Sequence, residues 1–284
     1  ASPANSFVNI TNAAFAGLPG GGTINISVPA GTNPGTYTGT ISVRNGLTCV
    51  SSTTSFTLTV NAAPAAPGGI TGSIEHCENS NGLLYSIAAV PNTNTYNWSF
   101  PAGWTVNGGA GTSNITVTAG IGSVSGNVSV TATNSCGTSA PAQLAVIVNA
   151  KGTWLGITGD WNNPGNWCGG VPDDHTDVFI PAGRPNDPVV STAGGEARNI
   201  TVANGAVLTI DGHALEIEGS ISSNGGINLI NGTLEMNGNS AQNISGSMFT
   251  GRTIQNILIS NNHGVNITGI NDTLNVSGSL KFGI

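Results

Sequence analysis

Apolar side chains occupy every second position through most of this chain. Residues 23–28, 37–43 and 55–60 alternate Ile, Val, Leu, Phe or Tyr with Thr, Ser, Asn or Gly, the period of a strand that buries one face. The runs 83–87, 95–100, 114–118, 126–133 and 143–148 repeat the pattern, separated by turn residues at the spacing of a β-sandwich. Nowhere is the i, i+3, i+4, i+7 spacing of an amphipathic helix sustained. The chain is therefore predicted to be all-β.

Two breaks divide it. Residues 61–69 contain Asn, Ala, Pro and Gly without periodicity or apolar bulk, which reads as a linker. An immunoglobulin-like module is thus placed at 1–62. It shows three clear strands and a weaker start, too few for a closed sandwich. Either it begins mid-domain or a strand from elsewhere completes it, and both accounts stay open. A second sandwich module spans 63–150. Beyond the break at 149–152, region 151–284 opens with Trp154, Trp161 and Trp167 within fourteen residues.

From Asn199 onward a longer period appears. A shift of 19 residues sets Leu208 on Ile227, Ile210 on Leu229, Leu215 on Leu234, Glu216 on Glu235, Ile217 on Met236 and Gly219 on Gly238. The match weakens at 240–255, read as an insertion, and Ile257 to Val276 spans 19 again. Short β-rich repeats of this length cannot bury their apolar face singly and must stack. Leucine-rich repeats share the period but need an L-x-x-L-x-L frame that is missing here. The predicted fold class is all-β: two immunoglobulin-like β-sandwich modules followed by a right-handed parallel β-helix. Its last coil, ending at 281–284, has no polar cap and is expected to be continued or covered.

Composition narrows the function. Only six Lys or Arg stand against thirteen Asp or Glu, and charged residues make up 7% of 284, against roughly 25% in an ordinary domain. The surface is supplied by Asn, Ser and Thr instead. With a net charge of −7 and no basic residue between Arg44 and Lys151, nucleic acid is excluded as a partner, because phosphate contacts need clustered cations. No apolar run reaches the roughly 18 residues of a membrane span, and no signal peptide opens the chain. It reads as a mature protein or an internal piece of one.

The residues Cys77, Tyr96 to Trp104, Asn134 to Gly137 and Ala145 to Asn149 resemble the PKD-like, immunoglobulin-like modules of giant surface proteins of Bacteroidota. The run Gly159 to Trp167, followed by Val171-Pro172 and Val178 to Gly183, is similar to the Trp-rich entry of β-helical repeats in the same class of exported proteins. The resemblance covers about three quarters of the chain and marks an architecture, not a reaction. It implies export by the type IX system, a place at the bacterial cell surface or outside the cell, and adhesion or gliding motility. It also implies O-glycosylation at patterns such as Asp272-Thr273-Leu274.

Four cysteines allow three complete pairings. Cys77 and Cys136 share one module, near its start and its end, and a disulfide between them is expected. Closing some 59 residues would contribute roughly 4 kcal/mol in the loop-entropy model. Cys49 and Cys168 lie in different modules and are left unpaired. Zinc is disfavoured, since no C-x-x-C occurs and His76, His175, His213 and His263 are scattered.

Three clusters invite chemistry. Trp154, Trp161 and Trp167 suit a cap over the first coil better than a sugar platform. Glu216, Glu218 and Glu235 are expected to gather within roughly 5–8 Å on one face; they could bind Ca²⁺ or act as an acid/base pair, but read foremost as a solvated face. Residues 172–177 (Asp173, Asp174, His175, Asp177) could also offer oxygens to Ca²⁺ but read as a polar turn. No catalytic residue, cofactor or metal site is assigned. The expected protein is an extracellular, non-enzymatic adhesin or structural extension whose partners are surface polysaccharide or protein, or further copies of itself. A carbohydrate-active β-helix and a filament subunit are the alternatives.

Overall fold

The computed structural model describes residues 26, 28–29, 32–42, 44–45, 49–268 and 273–283, with the backbone alone for Arg44, Asn45 and Cys49. Most of the strand expected at 23–28, and Asp272, lie outside the described residues. Within them the protein is β-structured, and helix is confined to three 3₁₀ turns.

The first part is small. β1 (Gly35–Ile41) carries on into β2 (Arg44–Asn45), β3 (Cys49–Val50) and β4 (Thr54–Val60). β1 and β4 pair antiparallel, Gly35 opposite Val60 and Ile41 opposite Thr54. The β2–β3 hairpin therefore sits at the end away from the linker. Tyr37, in β1, is buried and donates its hydroxyl to Asn33 O at 2.7 Å.

The second part is a sandwich of β5 (Glu75–Cys77), β6 (Ser80–Ser86), β7 (Thr95–Ser99), β8 (Trp104–Gly108), β9 (Asn114–Ala119), β10 (Gly126–Asn134), β11 (Gly137–Thr138) and β12 (Ala142–Asn149). One sheet is β6-β9-β8. The other is built on β10, flanked by β7 on one side and by β11 and β12 on the other, with β5 added parallel to β12 at the edge. Alternation decides the packing. Val128, Val130 and Ala132 of β10 face Ile115 and Val117 of β9, and Tyr85 fills the centre with no exposure. Each such fully buried aliphatic side chain contributes roughly 1.5–3 kcal/mol. β8 was not legible in the alternation because it opens on Trp104, half-buried at the edge of this core with its indole N–H on Val124 O.

The third part is a parallel β-helix. Its coils are β13 (Asp177–Ile180), β14 (Val189–Val190) and β15 (Gly195–Ala197); β16 (Asn199–Val202), β17 (Val207–Ile210) and β18 (Ala214–Ile217); β19 (Ile221–Ser223), β20 (Gly226–Leu229) and β21 (Thr233–Met236); β22 (Gln242–Ile244) and β23 (Thr253–Ile259); and β24 (Val265–Ile267) and β25 (Asn275–Phe282). The third face runs β15-β18-β21-β23-β25, a 5-stranded ladder, so the described residues trace five coils. The 19-residue shift is the observed register: Leu208 pairs Ile227, Leu215 pairs Leu234 and Glu216 pairs Glu235.

The later repeat differs from expectation. Residues 240–255 are no insertion: β22 supplies the first side of the fourth coil, and Phe249, bridged to Ile227, stands in for its second strand. Ile257 pairs Leu280 and Val276 pairs Ile254, because that coil is longer and carries an irregularity between Ile254 and Asn256.

The core is closed by the Trp-rich segment, which traces a partial coil ahead of the first. Thr153 bridges β13 and Asp160 bridges β14, and Trp154 N and Trp161 N donate to Phe179 O at 2.9 Å and Val189 O at 3.1 Å. The edge of the first coil is thereby paired. All three indoles point inward, Trp154 and Trp161 with no exposure, and pack edge-to-face on Trp167 at 4.8 and 4.7 Å. Such pairs add roughly 0.5–1.5 kcal/mol beyond the area buried. Gly195 makes the fit possible, since a Cβ there would lie 2.8 Å from Trp161 Nε1 and 3.0 Å from Leu215 Cδ1.

Turns between coils depend on similar close approaches. A Cβ on Gly225 would lie 2.3 and 2.4 Å from the carbonyl oxygens of Ala206 and Ala203, whereas one on Gly226 meets nothing nearer than 3.5 Å. Gly225→Ala is expected to cost about 1–3 kcal/mol, and Gly226→Ala to leave stability unchanged or raise it by up to about 1 kcal/mol. Urea unfolding followed by tryptophan fluorescence measures both; equal effects at the two glycines would contradict the packing described.

Candidate functional site

The strongest convergence of charged and covalent chemistry lies where the sandwich meets the β-helix. β5 runs parallel to β12 with Cys77 opposite Asn149, so Cys77 stands at the end from which the chain leaves the sandwich. A few residues on, Gly152 N donates to Cys168 O at 2.8 Å and Cys168 N to Thr153 O at 3.0 Å, which returns Cys168 to the connector. The two sulfurs are bonded.

Side chains reinforce this joint. Glu75 accepts from Arg184, in the first coil, at 2.7 Å and from Asn149 Nδ2 at 2.7 Å. Arg184 is only 18% exposed, and its guanidinium holds the Glu75 carboxyl below the usual carboxylate range. Glu78 spans the connector, accepting from Lys151 N at 2.9 Å and Gly122 N at 3.2 Å.

The expected Cys77–Cys136 disulfide is thus corrected to Cys77–Cys168, and Cys136 is free and exposed. The reason is direction. Cys136 lies in the turn between β10 and β11, where Asn134 Nδ2 reaches Ala62 O at the entry end of the module. Cys77 lies at the exit end, about the length of β10 away, on the order of 25–30 Å at about 3.3 Å per residue. An early and a late cysteine would meet across an antiparallel pair, but the edge pairing here is parallel. The adjacency of Trp167 and Cys168 was the available signal: a cysteine inside the cap lies beside the joint. The side chain of Cys49 is outside the described residues.

The glutamates form a column, with a different third member. Glu196, Glu216 and Glu235 are register partners on β15, β18 and β21. Burial, then the charges of Glu235 and Glu196, raises the Glu216 carboxyl above its usual range. Asn237 Nδ2 donates to Glu216 at 3.3 Å and Ser260 Oγ to Glu235 at 2.7 Å. Glu218 lies past the end of β18, half-buried, where its charge acts on Arg198 and His175. Glu196 was missed because the first coil-to-coil offset is 20 residues, not 19.

Residues 172–177 form a turn closed by Thr176: its hydroxyl bonds Asp173 Oδ1 and its N–H donates to Asp173 O at 2.9 Å. Asp177 leaves the turn to pair Arg198 and Asn199 Nδ2. His76 is enclosed in the sandwich against the Tyr85 hydroxyl at 2.8 Å, and burial pushes that phenol up to about 12. Among the described residues no three His, Cys, Asp or Glu converge as metal ligands. The three indoles of the cap offer no open ring face to a sugar.

A cleft of about 380 Å³, lined by polar and apolar groups alike, opens where the first face is interrupted. β19 pairs β16 and β22 pairs β24, but β19 and β22 do not pair with each other. Asn199, Ser220, Ile221, Asn243, Met248 and Thr268 are among the residues lining it. Beside it the buried Gln242 ties the coils together. Its amide donates to Ile217 O at 2.8 Å and Gly219 O at 2.7 Å, and accepts from Gly238 N at 3.0 Å and Asn261 Nδ2 at 2.9 Å. Those four bonds exhaust its capacity.

Two family profiles match parts of the chain. The family profile described as a PKD-like domain matches residues 63–146. A second, described as Domain of unknown function (DUF8693), matches residues 153–261. Among solved structures the full ectodomain of mouse nectin-like molecule 4 (Ig1–Ig3) is similar at 16% identity, with a TM-score of 0.23, covering 38% of this chain and 38% of that one. No curated protein matches the chain. The chain is an all-β modular protein with a PKD-like, immunoglobulin-like module joined to a β-solenoid.

Peptide mapping without reduction is expected to recover Cys77 linked to Cys168 and Cys136 as a free thiol; recovery of a Cys77–Cys136 peptide would overturn the joint described. For Glu216, a folded-state value raised above the ordinary 4.5 means that its stabilising contribution is present below about pH 4.5 and lost as pH rises through the raised value. Glu216→Gln should therefore melt higher than the parent protein at pH 7, and the gain should vanish by about pH 4. Thermal scans at the two pH values decide it, and a gain that grows on acidification would contradict the column.

Proposed function

We propose that this chain is a segment of an extracellular or cell-surface adhesin, or of a structural extension of such a protein, and that it acts without catalysis. The observation that carries the reading is the disulfide-locked joint between the PKD-like module and the β-helix. Structural disulfides persist in oxidising compartments, and a locked joint holds two modules in a fixed line, as reach from a surface requires. The PKD-like match and the immunoglobulin-like sandwich support the same class. So does the scarcity of Lys and Arg, six in the chain, which leaves few sites for trypsin-like proteases. Export by the type IX system of Bacteroidota is the route that the sequence resemblance favours. Partners on this reading are surface polysaccharide or protein, or further modules of the same kind, and the work needs no cofactor. No helix among the described residues is long and apolar enough to cross a membrane.

The cleft between β19 and β22 supports a second reading, a polysaccharide-binding module: the exposed Asn243 amide can both donate to and accept from sugar hydroxyls, whereas Asn199 and Gln242 are already engaged within the chain. The glutamate column is a weaker basis for an enzyme, since Glu216 and Glu235 are held by Asn237 and Ser260 and the nearby Arg198 is committed to Asp177.

Antibody against residues 151–261 should label intact cells producing the protein, and protease treatment of unbroken cells should remove the label. Beads coated with the chain should adhere to a surface that uncoated beads leave. Labelling only after permeabilisation would overturn the placement. Changing Glu196, Glu216 and Glu235 together to Gln should leave adhesion unchanged; loss of a polysaccharide-cleaving activity in that variant would establish the enzyme instead.

A further inference from the structure

We propose that the Cys77–Cys168 bond is a tension bypass: when the chain is pulled from its two ends, the covalent load path runs from β5 through the disulfide into the β-helix, and residues 78–167, which hold β6 to β12 and the cap, lie outside it. The inference comes from where the bond lies in the covalent path. It joins residues 91 apart and so encloses β6 to β12 together with the Trp-rich cap. Load arriving from the first part enters along residues 61–76 and reaches Cys77. From there the shortest covalent route to Cys168 is the S–S bond itself, and the enclosed chain stays slack.

Local geometry suits this path. β5 is the edge strand of its sheet and is already extended, leading from the entry side toward the joint. Just before it, Thr71 exchanges two backbone bonds with Ser86 of β6, a contact that the pull loads, but no strand is stripped from the sheet interior. β12, its one ladder neighbour, ends at Asn149 and continues into the enclosed loop, so no opposing pull shears the pair. Glu75, two residues before Cys77, is held by Arg184 of the first coil, a second transfer point into the β-helix beside the bond. Glu78 and Asn149 keep the connector folded against the joint by the bonds to Lys151 N and Glu75. The bypass is a property of the covalent topology and stands independently of what the protein adheres to.

The consequence is a length that stays hidden. The enclosed 91-residue separation corresponds to about 300 Å of extended chain at about 3.3–3.6 Å per residue. Single-molecule pulling of the whole chain, held at its N- and C-termini, reads this directly. The oxidised chain should release only the segments before Cys77 and after Cys168. After dithiothreitol, or in the C77S/C168S double variant, additional unfolding totalling about 300 Å should appear, and Cys136→Ser should change neither trace. Release of the extra length by the oxidised chain would overturn the proposal. So would identical traces before and after reduction. Should the double variant fail to fold, the wild-type chain pulled before and after dithiothreitol makes the same comparison. Failure of the adhesion assay would leave these traces untouched, so the two claims fail separately.

Discussion

An unpaired strand edge is the constraint on which this structure depends. A parallel coil makes half of its backbone hydrogen bonds to the coil before it and half to the coil after, and its apolar face is covered only by stacking. The first coil has no coil before it. The Trp-rich segment answers both needs at once. Its backbone takes the place of a preceding coil through Trp154 N and Trp161 N, and its indoles seal the open end of the apolar core. Asn166 holds this segment in shape from inside: with no exposure, its amide bonds Thr158 Oγ1 and Asp160 O, both at 2.7 Å, and its Oδ1 accepts from Thr158 N at 2.7 Å. The run from Gly159 to Trp167 is therefore a single packing device in which polar residues shape the loop and aromatic residues fill the core.

That same device sets the joint. Because the cap must lie across the end of the β-helix, its chain begins and ends there, and Cys168 comes back beside the connector that enters at Lys151. The sandwich has only to present a cysteine at its exit end. The parallel pairing of β5 with β12 does this. Cap, joint and disulfide are consequences of one requirement, that the first coil be covered.

Much of this could be read from the amino-acid sequence, and for physical reasons. Period-two alternation revealed β6, β7, β9, β10 and β12 of the sandwich and the 19-residue shift revealed the stacking of β17 on β20 and β18 on β21, because one-sided burial leaves a residue-by-residue mark. What escaped was whatever depends on direction or on irregular spacing. Alternation does not distinguish a parallel from an antiparallel neighbour, so the end at which Cys77 lies was not legible. The stretch 240–255 looked like an insertion because Phe249 replaces a strand with a single bridged residue flanked by 3₁₀ turns. The glutamate column was half visible: Glu216 and Glu235 share the regular offset, and Glu196 sits one residue outside it. Gln242 left no mark, since a buried amide between coils cannot be told in sequence from an exposed one in a turn.

The parallel placement of β5 also bears on the order in which the molecule is completed. The sandwich strand that pairs with β5 is β12, the last strand of the sandwich to emerge as the chain is made. Until β12 is in place, Cys77 lacks its parallel ladder partner and is positioned only through its neighbours, His76 against Tyr85 and Glu78 on Gly122 N. The pairing of Cys77 with Cys168 is therefore best served once the sandwich is complete and the cap has folded back, much as a seal is set after the contents are packed.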